Sequence, residues 1–283
     1  MSKCESNVDE LMVPGLVGIP GTVSSRLAEY RDWHGDVQAD VSDLETCASN
    51  LEIQGLAITA IDFANPCARY SEVSFELGGY VVHGRLIEPA GRARVSERVP
   101  LCLMFHDIDR PVRGWHHMTR FAAMGYAVLA LDDDVAGADD LQRGIASPAF
   151  VERIRWGCAM AKAARDFDGI DPGRIFACGE GLGGGVALAV SALDTCGLVC
   201  TAVANPLPGG LEALSSRVRG SVLMGTSLMD AMSDPKGQFA VFNGLECDRR
   251  HIIYAKYAHE RINAFENEVV DFFNQTFYPC SLA

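Results

Sequence analysis

The residues with the clearest chemical signature form a glycine-rich turn between an apolar strand and an Ala/Val/Leu-rich helix, within residues 174–193 (RIFACGEGLGGGVALAVSAL). Gly179 and Gly183 have the spacing of the two glycines in a Gly-x-Ser-x-Gly turn, which exposes a nucleophilic serine above the edge of a sheet. The central position is Gly181, which has no side chain. The pattern therefore predicts a nucleophile turn whose nucleophile position is vacant.

A phosphate-binding loop is the second interpretation of the same turn. Gly179, Gly181 and Gly184 also fit the spacing Gly-x-Gly-x-x-Gly, in which backbone N–H groups at a helix N-terminus bind phosphate. That motif usually opens its domain and is followed about 20 residues later by an acidic residue. Here the turn lies late in the chain, and the next apolar run, residues 198–204, contains no acidic residue. These departures favour the nucleophile turn.

Two further residues follow the turn in the order in which a hydrolase places its acid and its base. Asp230 comes after the apolar run 221–224, and His259 comes after the run 251–255. In enzymes built on this turn, the acid and the histidine follow later strands, so their side chains meet the nucleophile at one edge of the sheet. The sequence predicts that Asp230 and His259 form a carboxylate–imidazole pair at that edge.

Because position 181 carries no hydroxyl, His259 has no serine to activate, and other nucleophiles must be considered. The candidates near the turn or near the acid are Glu180, Cys178, Thr226 and Ser227. We expect Cys178 to be a buried and unreactive thiol, because it lies within an apolar strand. An imidazole oriented by a carboxylate can also activate water directly. A nucleophile other than serine and an activated water stay open as alternatives.

The elements that must position these residues follow from the hydrophobic pattern. From residue 100 onward, short apolar runs without alternation are separated by helical patterns, which is typical of a parallel sheet covered by helices. Residues 70–77 and 80–87 alternate between apolar and polar positions around Gly78-Gly79, which predicts a β-hairpin. The predicted strands are 100–105, 127–131, 174–178, 198–204, 221–224 and 251–255, and the predicted helices are 115–124, 149–164, 182–193, 235–245 and 261–277.

The N-terminal quarter of the chain is its least patterned part. Residues 27–51 have apolar positions at irregular helical spacing, which indicates one or two helices. We therefore expect two regions, an N-terminal helical arm at residues 1–65 and one α/β domain at residues 66–283.

Charge and cysteine content exclude several classes of partner. The chain has 24 Lys and Arg against 37 Asp and Glu, and the net charge of −13 repels nucleic-acid phosphates and anionic lipid. The sequence has neither an apolar run of about 18 residues nor an apolar secretory segment, so no membrane association is expected. The ten cysteines include no Cys-x-x-Cys pair, which favours reduced thiols in a cytoplasmic protein.

Three segments together resemble the acetyl xylan esterase and cephalosporin C deacetylase family of α/β hydrolases: GEGLGGGVALAVSAL, SVLMGTSLMDAMSDP and IIYAKYAHE. The resemblance implies a three-layer α/β hydrolase fold, with a mostly parallel sheet and an antiparallel hairpin at its edge. It implies that Asp230 and His259 are the catalytic acid and base, and that Leu182 and Ile108 stand at the oxyanion hole. It also implies a homo-oligomer that binds a small acyl ester or an acetylated sugar and needs neither a cofactor nor a metal.

The departures from that family concern the nucleophile and the oxyanion hole. Gly181 stands where the family has serine, and His106-Asp107-Ile108 stand where it has histidine, glycine and an aromatic residue. Asp107 would bring a negative charge close to a developing oxyanion, which opposes its stabilisation. We therefore expect a pseudo-esterase with little or no acetyl-ester hydrolysis. The alternatives are an active ester hydrolase that uses water or another nucleophile, and a structural or binding subunit.

Metal binding is the weaker interpretation of the remaining polar clusters. His116-His117 has no evident third ligand, and the acidic runs 132–134 and 139–140 are typical of solvated loops. We therefore expect no metal site.

Overall fold

A computed structural model describes residues 37–91, 98–107, 115–132, 147–193, 197–207 and 209–277. The nine strands of this part of the chain form one sheet in the order β1-β2-β3-β5-β4-β6-β7-β8-β9. The strands are β1 (Gln54–Ile61), β2 (Ala68–Leu77), β3 (Tyr80–Pro89), β4 (Val99–Phe105), β5 (Ala127–Asp132), β6 (Ile170–Glu180), β7 (Cys200–Ala204), β8 (Ser221–Ser227) and β9 (Arg249–Tyr254). The helices are α1 (Val37–Ser49), α2 (Trp115–Ala123), α3 (Pro148–Ala164), α4 (Gly181–Leu193), α5 (Glu212–Ser215), α6 (Pro235–Gly244) and α7 (Asn263–Phe277).

Strands β4 to β9 are parallel to one another, whereas β1, β2 and β3 are antiparallel and extend the sheet at one side. Strand β4 is buried along its whole length, and its side chains alternate between two apolar clusters. One cluster contains residues of α1, α3 and α4, and the other contains residues of α2 and α7. The sheet is therefore the middle layer of three, as the non-alternating apolar runs predict.

The predicted hairpin is confirmed. Strands β2 and β3 pair from Ala68 and Pro89 to Leu77 and Tyr80 without interruption. Between them, Gly78 and Gly79 have φ values of 60° and 85°, and a two-residue turn with both values positive matches the right-handed twist of the strands.

The predicted helical arm is corrected in its second half. Residues 54–61, which the sequence pattern placed in the arm at 1–65, form β1, and this strand pairs with β2 in the same sheet. All but the last of its residues are exposed, so no alternation of buried and exposed positions marks it as a strand. Its conformation depends on pairing with β2, which is a contact that a local pattern does not contain. Within the predicted helical segment 27–51, the described part is α1, which packs against α3.

The parallel strands determine where the chemistry can be. The C-terminal ends of β4, β6, β8 and β9 lie at the same edge of the sheet because these strands run in the same direction. Four residues singled out by the sequence follow the ends of these strands in turn: Asp107, Gly181, Asp230 and His259. Within the described ranges, no helix is long and apolar enough to cross a membrane.

Candidate active site

The turn at the end of β6 has the backbone that the glycine spacing predicts. Gly181 begins α4 directly after β6 and has a φ of +51°, a left-handed conformation that glycine adopts without a steric penalty. A Cβ at Gly179 would overlap the backbone of Gly183, and a Cβ at Gly183 would overlap the backbone of Phe105. The outer glycines therefore let the turn lie in direct contact with the end of β4.

Asp230 and His259 lie together at this edge. The Nδ1 atom of His259 is 2.7 Å from Oδ2 of Asp230. The other carboxylate oxygen, Oδ1, accepts the N–H groups of Met232 at 2.9 Å and Ser233 at 2.8 Å. Because the Asp230 side chain is completely buried and fully bonded, it fixes the orientation of the imidazole.

A buried network holds the loop that carries Asp230. The hydroxyl of Ser233 donates to the carbonyl of Pro206 at 2.6 Å, and the amide of Gln238 donates to the carbonyl of Ser233 at 2.8 Å. Asn205 accepts the N–H of Ser227 at 2.7 Å through its side-chain oxygen. Asn205 has a φ of 47°, the only positive φ outside glycine among the described residues. The ends of β7 and β8 are thereby tied to each other just before the acid.

Asp107 is the third member of the site. Its Oδ2 atom is 2.7 Å from Nε2 of His259, and its Oδ1 atom accepts the N–H of Leu182 at 3.0 Å. A Cβ built at Gly181 would overlap the Asp107 carboxylate. The carboxylate therefore fills the space into which a serine side chain at position 181 would project, and it bonds the backbone N–H that the resemblance assigns to the oxyanion hole.

Sequence reasoning identified Asp107 only as an unfavourable charge and missed its contact with His259. The available signal was a carboxylate two residues after the end of β4, next to the strand that carries the nucleophile turn. Neighbouring parallel strands bring their C-terminal ends together, so a charged side chain there lies close to the turn.

The imidazole of His259 lies between two carboxylates. Its burial alone lowers its pKa, but the hydrogen bonds to Asp107 and Asp230 and their negative charges outweigh this effect and raise the pKa to about 10. The raised pKa favours the imidazolium at neutral pH, in which each ring N–H donates a hydrogen bond to one carboxylate. The two neighbouring carboxylates therefore oppose a role of His259 as a proton acceptor in this state.

A small pocket of about 50 Å³ opens beside Asp107. Its walls are mostly apolar and come from the sheet and from the two helices α2 and α7. Met104, Phe121, Phe265 and Val269 are among these apolar residues. Glu180 and Cys178 also line the pocket, together with Arg120, which forms an ion pair with Glu266 at 3.4 Å.

The remaining nucleophile candidates are placed less favourably. Thr226 and Ser227 are both fully buried, and the Thr226 hydroxyl is 2.8 Å from Nε2 of His251. Cys178 is 8% exposed, and its sulfur lies 3.4 Å from the sulfur of Cys102. Burial and the neighbouring Cys178 raise the pKa of the Cys102 thiol well above its usual range. The Cys102 thiol is therefore protonated, and Cys178 packs against it.

Several other predicted positions are not among the residues with described side chains. These are Ile108, the side chains of His116 and His117, and the acidic residues 133–134 and 139–140. Asp132, the first residue of the acidic run 132–134, forms an ion pair with Arg85 at 3.0 Å. Among the residues with described side chains, no three His, Cys, Asp or Glu residues are arranged to hold a metal ion.

Comparison with known proteins finds similarity to acetyl xylan esterases over part of the chain. Residues 210–276 match the family model described as acetyl xylan esterase (AXE1), and this segment contains both Asp230 and His259. A curated relative, the quorum-quenching protein AidA of Acinetobacter baumannii, is 30% identical over 170 residues. That match covers 54% of this chain and 55% of AidA, so the chain spans about half the length of this relative.

Solved structures of esterases share the fold. An acetyl xylan esterase from a Thermoanaerobacterium species has a TM-score of 0.70 at 18% identity, over 86% of this chain and 94% of that chain. One from Paenibacillus sp. R4 has a TM-score of 0.69 at 18% identity, over 85% and 94%. A cold-adapted esterase from an Arctic intertidal metagenomic library has a TM-score of 0.66 at 17% identity, over 78% and 99%.

These matches confirm the predicted three-layer α/β hydrolase fold with antiparallel strands at one side. They also confirm the resemblance to acetyl xylan esterases that the three sequence segments indicated.

Proposed function

We propose that this acetyl xylan esterase-like α/β hydrolase is a pseudo-esterase, which does not hydrolyse acetyl esters through a serine acyl-enzyme. The observation that carries the proposal is the position of the Asp107 carboxylate. It bonds both His259 and the N–H of Leu182, in the space that a serine at position 181 would need. A carboxylate from a different strand therefore stands where the family has a hydroxyl.

Three effects act together against acetyl-ester hydrolysis. Removing the serine of a catalytic triad costs about six orders of magnitude in turnover, as measured in subtilisin. A carboxylate on the Leu182 N–H blocks and repels a developing oxyanion, and the loss of one such donor costs about 100- to 1000-fold. The pKa of His259, raised to about 10 by the two carboxylates, favours its protonated form at neutral pH, and an imidazolium does not act as a general base.

The ligand and the assembly of the protein are also proposals. The resemblance favours a small ligand, such as an acyl ester or an acetylated sugar, and the pocket beside Asp107 supports a small and mostly apolar group. A homo-oligomer in the cytoplasm without nucleic-acid or membrane partners remains the expectation from the resemblance, the acidic charge and the cysteines.

Hydrolysis of p-nitrophenyl acetate and of acetylated xylose tests the proposal. Purified protein should show no turnover above that of the His259→Ala variant and of the heat-unfolded protein. A turnover of about 1–1000 per second that is lost in His259→Ala would overturn it.

An active hydrolase that does not use serine is the second candidate, and one observation favours it. Asp107 lines a pocket and contacts a histidine that a second carboxylate orients. A site whose nucleophile had merely been lost would not need a carboxylate in this place.

A further inference from the structure

We propose that Asp107 is a covalent nucleophile that takes a small alkyl group from a substrate whose leaving group departs as an anion, such as a haloalkane. This inference rests on the proposed function in one respect only, namely that the site has exchanged serine chemistry for carboxylate chemistry. It assigns to Asp107 the first step of a hydrolytic reaction and to His259 the second.

The two oxygens of Asp107 have different surroundings. Oδ1 is held by the N–H of Leu182, whereas Oδ2 faces Nε2 of His259. Asp107 is also among the residues that line the pocket, and its side chain is 5% exposed. Carboxylates act as nucleophiles in enzymes when they are positioned in this manner against the reacting carbon. The bond from Leu182 fixes the orientation of the carboxylate before the substrate arrives.

The chemistry of a carboxylate decides the class of substrate. If Asp107 attacked an acetyl ester, it would form an anhydride, and a carboxylate leaves an acyl centre more easily than an alkoxide does. The attack would therefore be reversed. At a saturated carbon with a halide, the anion departs without a proton and the product is a stable ester. The apolar walls that Met104, Phe121, Phe265 and Val269 provide suit such an alkyl group.

In the first step, Oδ2 of Asp107 attacks the saturated carbon. A carbon–oxygen bond forms, the carbon–halogen bond breaks, and the halide leaves with the bonding electron pair. Asp107 becomes a neutral alkyl ester, and no oxidant or reductant takes part.

The first step also prepares the base for the second. His259 holds its proton because it faces two negative carboxylates, which raise its pKa to about 10. Alkylation removes the charge of Asp107 and leaves only Asp230 beside the ring. The pKa of His259 then falls, and the imidazolium can release a proton to solvent and become a general base.

In the second step, His259 takes a proton from water, and the water oxygen attacks Cγ of Asp107. The negative charge develops on Oδ1, which already accepts the N–H of Leu182. The tetrahedral intermediate collapses by breaking the bond from Cγ to the alkoxy oxygen, which leaves as an alcohol with the proton from His259. The sum is haloalkane plus water giving alcohol, halide and one proton, and Asp107 is regenerated with one oxygen from water.

Trapping the ester is the first test. The His259→Gln variant should react with n-butyl bromide in the first step and stop there, because it has no base for the second. Intact-mass analysis should show one butyl group per chain, and peptide mapping should place it on Asp107 as an adduct that hydroxylamine removes. The matched control is the double variant Asp107→Asn/His259→Gln, which should carry no hydroxylamine-sensitive adduct. Adducts on thiols, such as the exposed Cys67, resist hydroxylamine and serve as an internal reference.

A second test uses the unmodified chain, so that it does not depend on the folding of a variant. After turnover of n-butyl bromide in water enriched in the heavy oxygen isotope, Asp107 should carry the heavy isotope, whereas Glu180, which lines the same pocket, should not. The butanol from the first turnover should contain ordinary oxygen.

Folded wild-type protein that produces no butanol, or no butyl ester on Asp107 in folded His259→Gln, would overturn the inference. Heavy oxygen in the butanol of the first turnover would do so as well, because it would mean direct attack by water. These outcomes leave the acetyl-ester result unaffected, so the failure of the inference and the failure of the proposed function are distinguishable.

Discussion

At the scale of single residues, the position of His259 between two carboxylates determines the charge of the site. The raised pKa of His259 favours the imidazolium at neutral pH, and the ring lies between the side chains of Asp230 and Asp107, which are 0% and 5% exposed. Such a cluster is stable only while each charge has its partner, because an unpaired buried charge is strongly unfavourable.

This charge state predicts a dependence of stability on pH. The pKa of His259 rises from 6.5 to about 10 on folding, so the folded state binds the proton more tightly. The associated stabilisation is complete below pH 6.5 and is lost as the pH rises to about 10. The free energy of unfolding, measured by urea denaturation, should fall across this range by a few kcal/mol more in the wild type than in His259→Gln. Equal slopes in the two proteins would contradict the prediction.

Restoring the serine is a second test at this scale. Gly181→Ser alone should give no acetyl-ester hydrolysis and should lower stability by about 1–3 kcal/mol, because the new Cβ overlaps the Asp107 carboxylate at a φ of +51°. Adding Asp107→Gly removes the overlap and frees the N–H of Leu182. The double variant should therefore hydrolyse p-nitrophenyl acetate measurably, and Asp107→Gly without the serine is its control. Activity in the single variant above that of the double variant would disprove this interpretation.

At the scale of elements, the ends of β7 and β8 are joined just before the loop that carries Asp230. Asn205 combines an unusual backbone conformation with a bond to the N–H of Ser227, so its side chain and its φ serve the same junction. The strands bring the site together, and this junction sets the direction in which the Asp230 loop leaves the sheet.

Two substitutions at Asn205 separate the bond from the backbone strain. Asn205→Gly keeps the positive φ without strain and removes the bond, which should cost about 1–3 kcal/mol because the buried N–H loses its partner. Asn205→Ala loses the same bond and also places an ordinary residue at positive φ, which should add about 1–2 kcal/mol. Urea denaturation of both variants measures the difference. Alanine as stable as glycine would show that the φ of 47° is not maintained.

The elements differ in how far the sequence predicts them. Strand β4 is buried on both faces, so its apolar run is visible without knowledge of its neighbours. Strand β1 is almost fully exposed, and only its pairing with β2 identifies it. The pair of Asp230 and His259 follows from their order after successive strands, whereas the contact of Asp107 with His259 joins residues that are 152 positions apart. That contact depends on strand order in the sheet, which local patterns do not contain.

At the scale of the whole molecule, the antiparallel side of the sheet ends in an exposed strand with apolar residues. Leu56 and Ile58 of β1 are 43% and 46% exposed, and Ile58 lies on one face of the regularly paired part of β1, after the register shift between Gln54 and Ala57. Ile58 is paired with the buried Val73 of β2, so this face continues the apolar face of the sheet. Unpaired strand edges with apolar side chains are frequent sites of self-association.

The expected homo-oligomer can be tested at this edge. Ile58→Lys places a charge on the apolar face of β1 and should shift the sedimentation coefficient toward that of the monomer. Thr59→Lys, on the opposite face of the same strand, is the matched control and should leave the assembly unchanged. An oligomer that persists in Ile58→Lys would locate the interface elsewhere.

The contact between the glycine turn and the end of β4 restricts which residues can occur together during the evolution of such sequences. Gly183 lies against the backbone of Phe105. A side chain at position 107 and a side chain at position 181 would therefore occupy the same space. A side chain at one position excludes a side chain at the other. Among homologues, a carboxylate at the first should therefore accompany glycine at the second, and serine at the second should accompany glycine at the first. A lineage could pass between these two states through a double-glycine intermediate, which would keep the fold while carrying no nucleophile at either position.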